Sequence, residues 1–417
     1  MPDPIRGVII LVGDDGDFRV GVDTGRQILD LSVEADGERG LGQAGTDIGG
    51  DVDSRHGAVE LPLTSVGKRY GNHGFVLSCP VRNGWYVVYP YRLSTLAARH
   101  QRDTFSQPVK EERMATGTHD FDDDPRNRDI LVSVNGTLVP RDQATVSVFD
   151  SGFVLGDGVW EGVRLHNGRL AYWEQHAKRL YEGAKALDMD IGLAPGELER
   201  QVLKTTEANG MTSGVHVRLM ITRGIKSTPY QDPRVTIGDP TVVIIAEHKE
   251  PLPETVERGI KLFTVHVRRG YPDVQDAKLN SHSKLNCITA CIQAAKAGAD
   301  EALMLDPHGF VATCNSTHFF IVRDGAVWTS TGDYCLPGIT RGNVIQLCRD
   351  NALEVAEKNF SLTEVYGADE AFVTGTFAGV VPAVEIDGRI IGDGSRGPTT
   401  ARLQALYGER IERECAP

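Results

Sequence analysis

No apolar run in this sequence approaches the ~20 residues that a helix needs to cross a bilayer. The start, Met1-Pro2-Asp3-Pro4-Ile5-Arg6, lacks the charged and apolar segments of a secretory signal. Both absences point to a cytoplasmic chain without a membrane partner. Basic charge is also short: 44 Lys and Arg stand against 57 Asp and Glu, a net charge of −13. A nucleic-acid binder normally presents a basic face, so general nucleic-acid binding is not expected. The seven cysteines, at 79, 287, 291, 314, 335, 348 and 415, are odd in number and irregular in spacing, which excludes a regular disulfide framework. Cys287 and Cys291 lie one helical turn apart but have no obvious histidine partners, so no metal site is expected. Repeats of solenoid length are absent.

What is present is ordinary globular material. A hydrophobic share of 40% and a charged share of 24% suit a folded protein, and 417 residues suffice for two or three domains. Residues 1–99 alternate in the manner of strands. Val8 to Val12 and Phe18 to Val22 flank Gly13-Asp14-Asp15-Gly16-Asp17, a plausible hairpin. Phe75 to Val81 and Trp85 to Tyr89 flank Asn83-Gly84, a stronger turn signal. The Gly- and Asp-rich stretch 34–58 reads as a loop, and the polar stretch 100–128 as a linker. This N-terminal part is expected to be an accessory packing module.

From 129 to 247, strand and helix patterns alternate, which predicts a small α/β domain. Ile130 to Val134 and Gly136 to Val139 surround the tight Asn135-Gly136 turn. Residues 173–187 have a helical period. Val215 to Thr222 and Thr241 to Ala246 read as buried strands. Pro251 and Pro253 mark an interdomain joint at 248–256, and a larger α+β domain is expected over 257–417. There Leu285, Ile288, Ile292 and Ala295 recur at helical spacing before Gly298, a helix terminator.

The chemistry begins at Leu336-Pro337-Gly338-Ile339-Thr340-Arg341. A tight turn opens a helical pattern with Val344, Ile345 and Cys348 on one face. A helix opening leaves backbone N–H groups free at the positive end of the dipole, which suits a phosphate. Thr374-Gly375-Thr376 adds hydroxyls and a glycine, and Arg179 offers a guanidinium for the same anion. On one strand, His216, Arg218 and Met220 share a face. Arg223 follows at the strand end, so Arg218 and Arg223 are candidate binders of a substrate carboxylate. The alternative for both is an ion pair at the edge of the core.

These blocks occur in one order. They run from Asp150-Ser151-Gly152-Phe153 and Gly156 to Gly162, through the Arg179 segment, Thr222-Arg223-Gly224 and Gly298-Ala299-Asp300-Glu301-Ala302. The 336–341 run, Ala368-Asp369-Glu370-Ala371-Phe372 and Gly397-Pro398-Thr399-Thr400 follow. In that order, residues from about 130 to 410 resemble the class IV aminotransferases, the group of branched-chain and D-amino-acid transaminases and aminodeoxychorismate lyase. The resemblance implies a two-domain fold of the fold-type-IV pyridoxal phosphate enzymes, following the N-terminal β-rich extension. It also implies a homodimer, pyridoxal 5'-phosphate as cofactor, and an amino acid and a 2-oxo acid as partners.

It further implies site residues. Arg179, Ile339, Thr340 and Thr376 fall on the phosphate cup. The family's Schiff-base lysine falls on Asn280, and the glutamate that faces the pyridine nitrogen falls on Thr313. An amide cannot take over the lysine's chemistry, and a hydroxyl can only hydrogen-bond the ring nitrogen. Lys278 and Lys284 are the available substitutes. Lys278 shares a face with Asn280 if that segment is a strand. Lys284 falls where relatives often carry a tyrosine near the cofactor's phenolic oxygen. His282 is a further candidate for proton transfer, against the plainer role of capping a helix. Two readings follow. One is a transaminase using Lys284 or Lys278. The other is a binder that holds the cofactor non-covalently or holds another phosphorylated ligand, or a repurposed lyase or racemase.

Overall fold

A computed structural model describes residues 7–12, 18–23, 28–33 and 117–416. The chain divides into Met1–Pro108 and Val109–Pro417. In the first unit, strands β1 (Gly7–Val12), β2 (Phe18–Asp23) and β3 (Ile28–Val33) form an antiparallel meander. Val12 pairs with Phe18 across the expected hairpin turn. The second expected hairpin, the 34–58 loop and the linker up to residue 116 lie outside the described residues.

The second unit holds two sheets. The smaller contains β4 (Leu131–Val134), β5 (Thr137–Pro140), β6 (Gly158–His166), β7 (Arg169–Leu170), β8 (Val215–Thr222) and β9 (Thr241–His248). Their order is β5-β4-β9-β8-β6-β7, with every neighbouring pair antiparallel. Asn135 and Gly136 both take positive φ between β4 and β5, the geometry that a two-residue Asn-Gly hairpin turn requires. Helices α1 (Ser151–Leu155), α2 (Trp173–Ala186) and α3 (Pro195–Ala208) complete this half. Along β8 the period of two is strict. Val215, Val217, Leu219 and Ile221 enter the core with Val159, Val163, Leu180 and Leu198. His216, Arg218 and Met220 occupy the other face.

After β9 the proline-rich joint does not stay extended. Pro253 opens helix α4 (Pro253–Arg258), where its missing N–H costs nothing. The large sheet then contains β10 (Ile260–Thr264), β11 (Glu301–Leu305), β12 (Val311–Cys314), β13 (His318–Arg323), β14 (Ala326–Thr329), β15 (Val355–Glu357), β16 (Glu370–Gly375), β17 (Gly379–Ile386) and β18 (Arg389–Ile390). Their order is β12-β11-β10-β17-β16-β13-β14-β15, with β18 on β17. The helices are α5 (Pro272–Gln275), α6 (Leu285–Lys296), α7 (Ile339–Asp350), α8 (Leu362–Tyr366) and α9 (Pro398–Glu414). One core gathers Leu262, Leu303, Phe319, Ile321, Phe360 and Val373. On another face, Phe320, Phe372, Val344, Ile345 and Cys348 pack with Leu403 and Tyr407 of α9, so the apolar face expected of α7 is buried.

Helix α6 departs from its sequence pattern. Its apolar stripe is exposed, with Leu285 at 77%, Ile288 at 50% and Ile292 at 49%. The small residues Ala290 and Ala294 face inward instead, against Val265, Ala302 and Met304. Small side chains let the helix lie close on the sheet, and the large ones are left facing outward.

Candidate active site

Strand β6 organises the site because its two faces do different work. Glu161 points inward between Val159 and Val163 and is fully buried. Its carboxylate accepts from Arg179 Nε at 2.8 Å, Arg179 Nη2 at 2.7 Å and His176 Nδ1 at 2.7 Å. Burial alone would raise this carboxyl. The hydrogen bonds from Arg179 and then His176 outweigh burial and hold it at about 2. Glu161 is therefore ionised and can only accept, so Nδ1 of His176 carries the proton. Burial pushes His176 below its usual range. His176 and Arg179 are three residues apart on α2 and share a face.

This pair aims Arg179. Its Nη1 donates to the Pro337 carbonyl at 2.8 Å, one residue before the Gly338 that caps α7. A guanidinium has five N–H bonds; three are used here, which leaves two. Helix α7 has no side-chain cap, so the N–H groups of Ile339 and Thr340 are unmet within the helix. The Thr340 hydroxyl is engaged with Tyr407 at 3.3 Å, so Thr340 offers its backbone rather than its side chain. The turn is tight: a Cβ at Gly338 would fall 2.3 Å from the His318 ring. His318 Nε2 donates to the Leu336 carbonyl at 2.7 Å, and burial holds this histidine at about 3, hence neutral. Across the sheet from His318 stands Thr374, whose buried hydroxyl has no hydrogen-bond partner among the described residues. Thr376 lies in the half-buried turn between β16 and β17. The structure thus brings Arg179 to the opening of α7.

The segment 280–283 is stitched to β6. Trp160 N donates to the Asn280 carbonyl at 3.1 Å, and His282 N donates to the Gly158 carbonyl at 2.9 Å. Trp160 Nε1 donates to the Ser281 carbonyl at 3.1 Å. His282 Nε2 donates to the Val159 carbonyl at 3.0 Å, which commits that nitrogen to the backbone. Lys284 Nζ donates to Asn280 Oδ1 at 3.0 Å and lies 5.3 Å from the centre of the Trp160 ring. Burial pushes its ammonium down to about 8, and Arg269 and Arg179 add to the fall.

Lys278 is elsewhere. The strand that would have put it beside Asn280 is a turn. Asp276 Oδ1 accepts from Lys278 N at 2.9 Å, and the Asp276 carbonyl accepts from Leu279 N at 3.1 Å. Lys278 is exposed on that turn. Thr313, on β12, donates its hydroxyl to the Thr317 carbonyl at 2.8 Å. Arg223 forms a two-point pair with Asp157, at 2.7 and 3.1 Å, and caps the Leu187 and Asp188 carbonyls. That geometry matches the ion-pair alternative.

Arg218 lies over the Trp160 ring, its guanidinium carbon 3.9 Å from the ring centre. No ion pair engages it among the described residues. Phe377, in the turn that carries Thr376, meets His119, His216, Arg164 and Lys249 around its ring. Lys249 also covers Phe121 at 3.9 Å. Burial, then Lys249 and Arg218, lower His119 to about 4. Burial, then Arg164 and Arg218, lower His216 well below its usual range. The surroundings are cationic and aromatic, with neutral histidines.

Sequence reasoning gave no role to Glu161, Trp160, His318 or the cluster at Phe377. A signal existed for Glu161: it is a carboxylate at a core-facing position of an apolar strand. None existed for His119 and Phe121, which reach the site from a segment that reads as linker.

The pattern of the family described as Amino-transferase class IV matches residues 158–386. Branched-chain-amino-acid aminotransferase-like protein 1 of Arabidopsis thaliana is 40% identical over 293 residues, 70% of this chain and 53% of the relative. The chain therefore spans about half the length of that relative. The putative branched-chain-amino-acid aminotransferase of Methanocaldococcus jannaschii is 41% identical over 66% of this chain and 94% of its own. Among solved structures, the branched-chain aminotransferase of the thermophilic archaeon Thermoproteus uzoniensis with norvaline has a TM-score of 0.62. It is 32% identical and covers 69% of this chain and 96% of its own.

Proposed function

Because the chain belongs to the class IV aminotransferase family, we propose that it binds pyridoxal 5'-phosphate and transfers an amino group between an amino acid and a 2-oxo acid, with Lys284 as the active amine. The observation that carries this reading is a half-buried lysine held by Asn280 Oδ1 at 3.0 Å beside the Trp160 ring, with burial pushing its ammonium down to about 8 and Arg179 and Glu161 near enough for their charges to act on it. An amine that is partly neutral near pH 8 is a nucleophile and a base, which an ordinary lysine is not. The charge of Arg179, which reaches the opening of α7, also acts on this amine, which supports reading amine and cup as one site.

The residues present fit the cofactor. Two spare N–H bonds of Arg179 and the N–H groups of Ile339 and Thr340 suit its phosphate, with Thr376 on the adjoining turn. Bound there, the cofactor supplies an aldehyde for the amino group and a ring that accepts electrons. Trp160 provides a flat apolar wall. Lys284 moves protons at the carbon that loses or gains the amino group. Arg218 neutralises a substrate carboxylate. The Thr313 hydroxyl donates to the Thr317 carbonyl and would offer a ring nitrogen only an acceptor lone pair. The exposed stripe of α6 supports a homodimer, which light scattering at micromolar concentration tests; a monomer counts against it. Free thiols at all six described cysteines suit the cytoplasm.

The direct test is to mix the purified protein with pyridoxal phosphate, reduce with borohydride and map the peptides. A pyridoxyl group on Lys284 is the expected result, and recovery of unmodified Lys284 with bound cofactor overturns the covalent role. That second outcome is the non-transaminating binder, which the lack of a carboxylate at Thr313 favours.

Two further outcomes test individual side chains. Arg179→Ala is expected to weaken cofactor binding about tenfold or more, since a charge-assisted bond to phosphate contributes about 1.5–3 kcal/mol. Calorimetry giving the wild-type affinity would remove Arg179 from the cup. Arg218→Gln is expected to raise KM for a dicarboxylic amino acid about tenfold or more, at nearly constant kcat. An unchanged KM for every donor would leave Arg218 as a packing partner of Trp160.

A further inference from the structure

We propose that Asn280 is a positioning residue: its amide is anchored on the Trp160 backbone and holds the Lys284 amine beside the Trp160 ring. This deepens the reading of Lys284 given above and rests on it for its meaning in catalysis. The pair itself stands on geometry alone.

Asn280 is only 6% exposed and is fixed twice to one residue. Its carbonyl accepts from Trp160 N at 3.1 Å, and its Nδ2 donates to the Trp160 carbonyl at 2.6 Å. The second bond settles which way the amide faces, because a carbonyl oxygen can only accept. Oδ1 is therefore turned to Lys284 Nζ, 3.0 Å away. A lysine side chain has four rotatable bonds and loses rotamer freedom when held. Here the acceptor is rigid, so the cost of aiming the amine is met by the strand pairing of segment 280–283 with β6.

The amide also suits the charge balance. The groups that act on the amine are Cys287 of α6, Arg269, Arg179 of α2 and Glu161 of β6. His282 lies on the same segment, and Arg218 lies against the Trp160 ring that the amine also meets. A neutral acceptor holds Nζ in either protonation state. A carboxylate in the same place would lock it as ammonium, and an apolar side chain would leave it unheld.

The experiment is competitive acetylation of the full-length protein, without added cofactor, from pH 6 to 11, with Lys284 followed by peptide mass spectrometry. Wild-type Lys284 is expected to label with a midpoint near 8. Asn280→Asp is expected to move the midpoint up by about one unit or more, which slows labelling at pH 8 about tenfold. Asn280→Ala is expected not to raise it. A purely structural role predicts something else: both variants would loosen the segment, and both midpoints would climb together toward the ordinary lysine value. That joint climb overturns the proposal, and so do two unmoved midpoints. Borohydride reduction with pyridoxal phosphate is run in parallel. If the midpoints follow the expected pattern and the pyridoxyl group is absent from Lys284, the Asn280–Lys284 pair stands and the catalytic reading of Lys284 falls.

Discussion

Lys284→Ala is expected to remove the visible-edge absorption that pyridoxal phosphate gives on reaction with the protein's amine, and to lower amino-group transfer by about 10²–10⁴-fold, the usual contribution of a placed general base. Lys278→Ala is expected to change neither, because Lys278 is an exposed residue on the Asp276 turn. The wild-type rate should rise with pH as the Lys284 amine loses its proton around 8. The sign follows from burial, which disfavours the charged form, so the neutral amine appears below the pH at which an ordinary lysine supplies it. Stopped-flow spectra and a coupled assay of both variants from pH 6 to 10 check this. Robust transfer by the Lys278→Ala/Lys284→Ala double variant would mean that the amine comes from elsewhere in the chain, or that none is needed.

The contrast between the two lysines shows what the sequence could and could not carry. Both stand near Asn280, and only local backbone geometry separates them. The strand assumption failed because Asp276 hydrogen-bonds forward to Lys278 N, a turn habit of aspartate that competes with extended structure. Arg179 was easier to place. Its partner, the opening of α7, is written in the chain as Pro-Gly followed by a helical period, and the order of blocks ties the two together. Arg218 followed from strand periodicity, because alternation along β8 fixes its face without any knowledge of the partner. Arg223 lies just past that strand, where the alternation stops, and Asp157 takes it.

Helix α6 illustrates another limit. The spacing of Leu285, Ile288 and Ile292 says helix correctly, yet periodicity identifies an apolar face without saying what covers it. Here the sheet takes the alanines. The site's polar interior was legible only in hindsight. Glu161 interrupts an apolar alternation, and His176 and Arg179 fall on one face of α2, but nothing in either segment announces that they meet.

That meeting leads to the second large effect. Glu161→Ala is expected to destabilise the fold by about 3–5 kcal/mol, the cost of removing one partner from a buried ion pair. The His176 ring and most of Arg179 stay buried, and the proton on His176 Nδ1 loses its acceptor. Arg179, released from its two-point contact, also loses the orientation that puts Nη1 on Pro337, so affinity for the phosphorylated cofactor should fall in the same variant. The pH dependence has a definite sign. The folded carboxyl sits at about 2, below the ~4.3 of an unfolded glutamate. A depressed carboxyl contributes stability that is fully present above the unfolded value and is lost as pH falls toward the folded one. Between those two values, wild type should therefore lose more stability than Glu161→Gln, which has no proton to take up at that position. Urea unfolding at pH 6 and pH 3 measures both differences. A Glu161→Ala variant within ~0.5 kcal/mol of wild type at pH 6 would mean that the buried pair is repacked without loss, and that Arg179 is aimed by Pro337 and the helix opening alone.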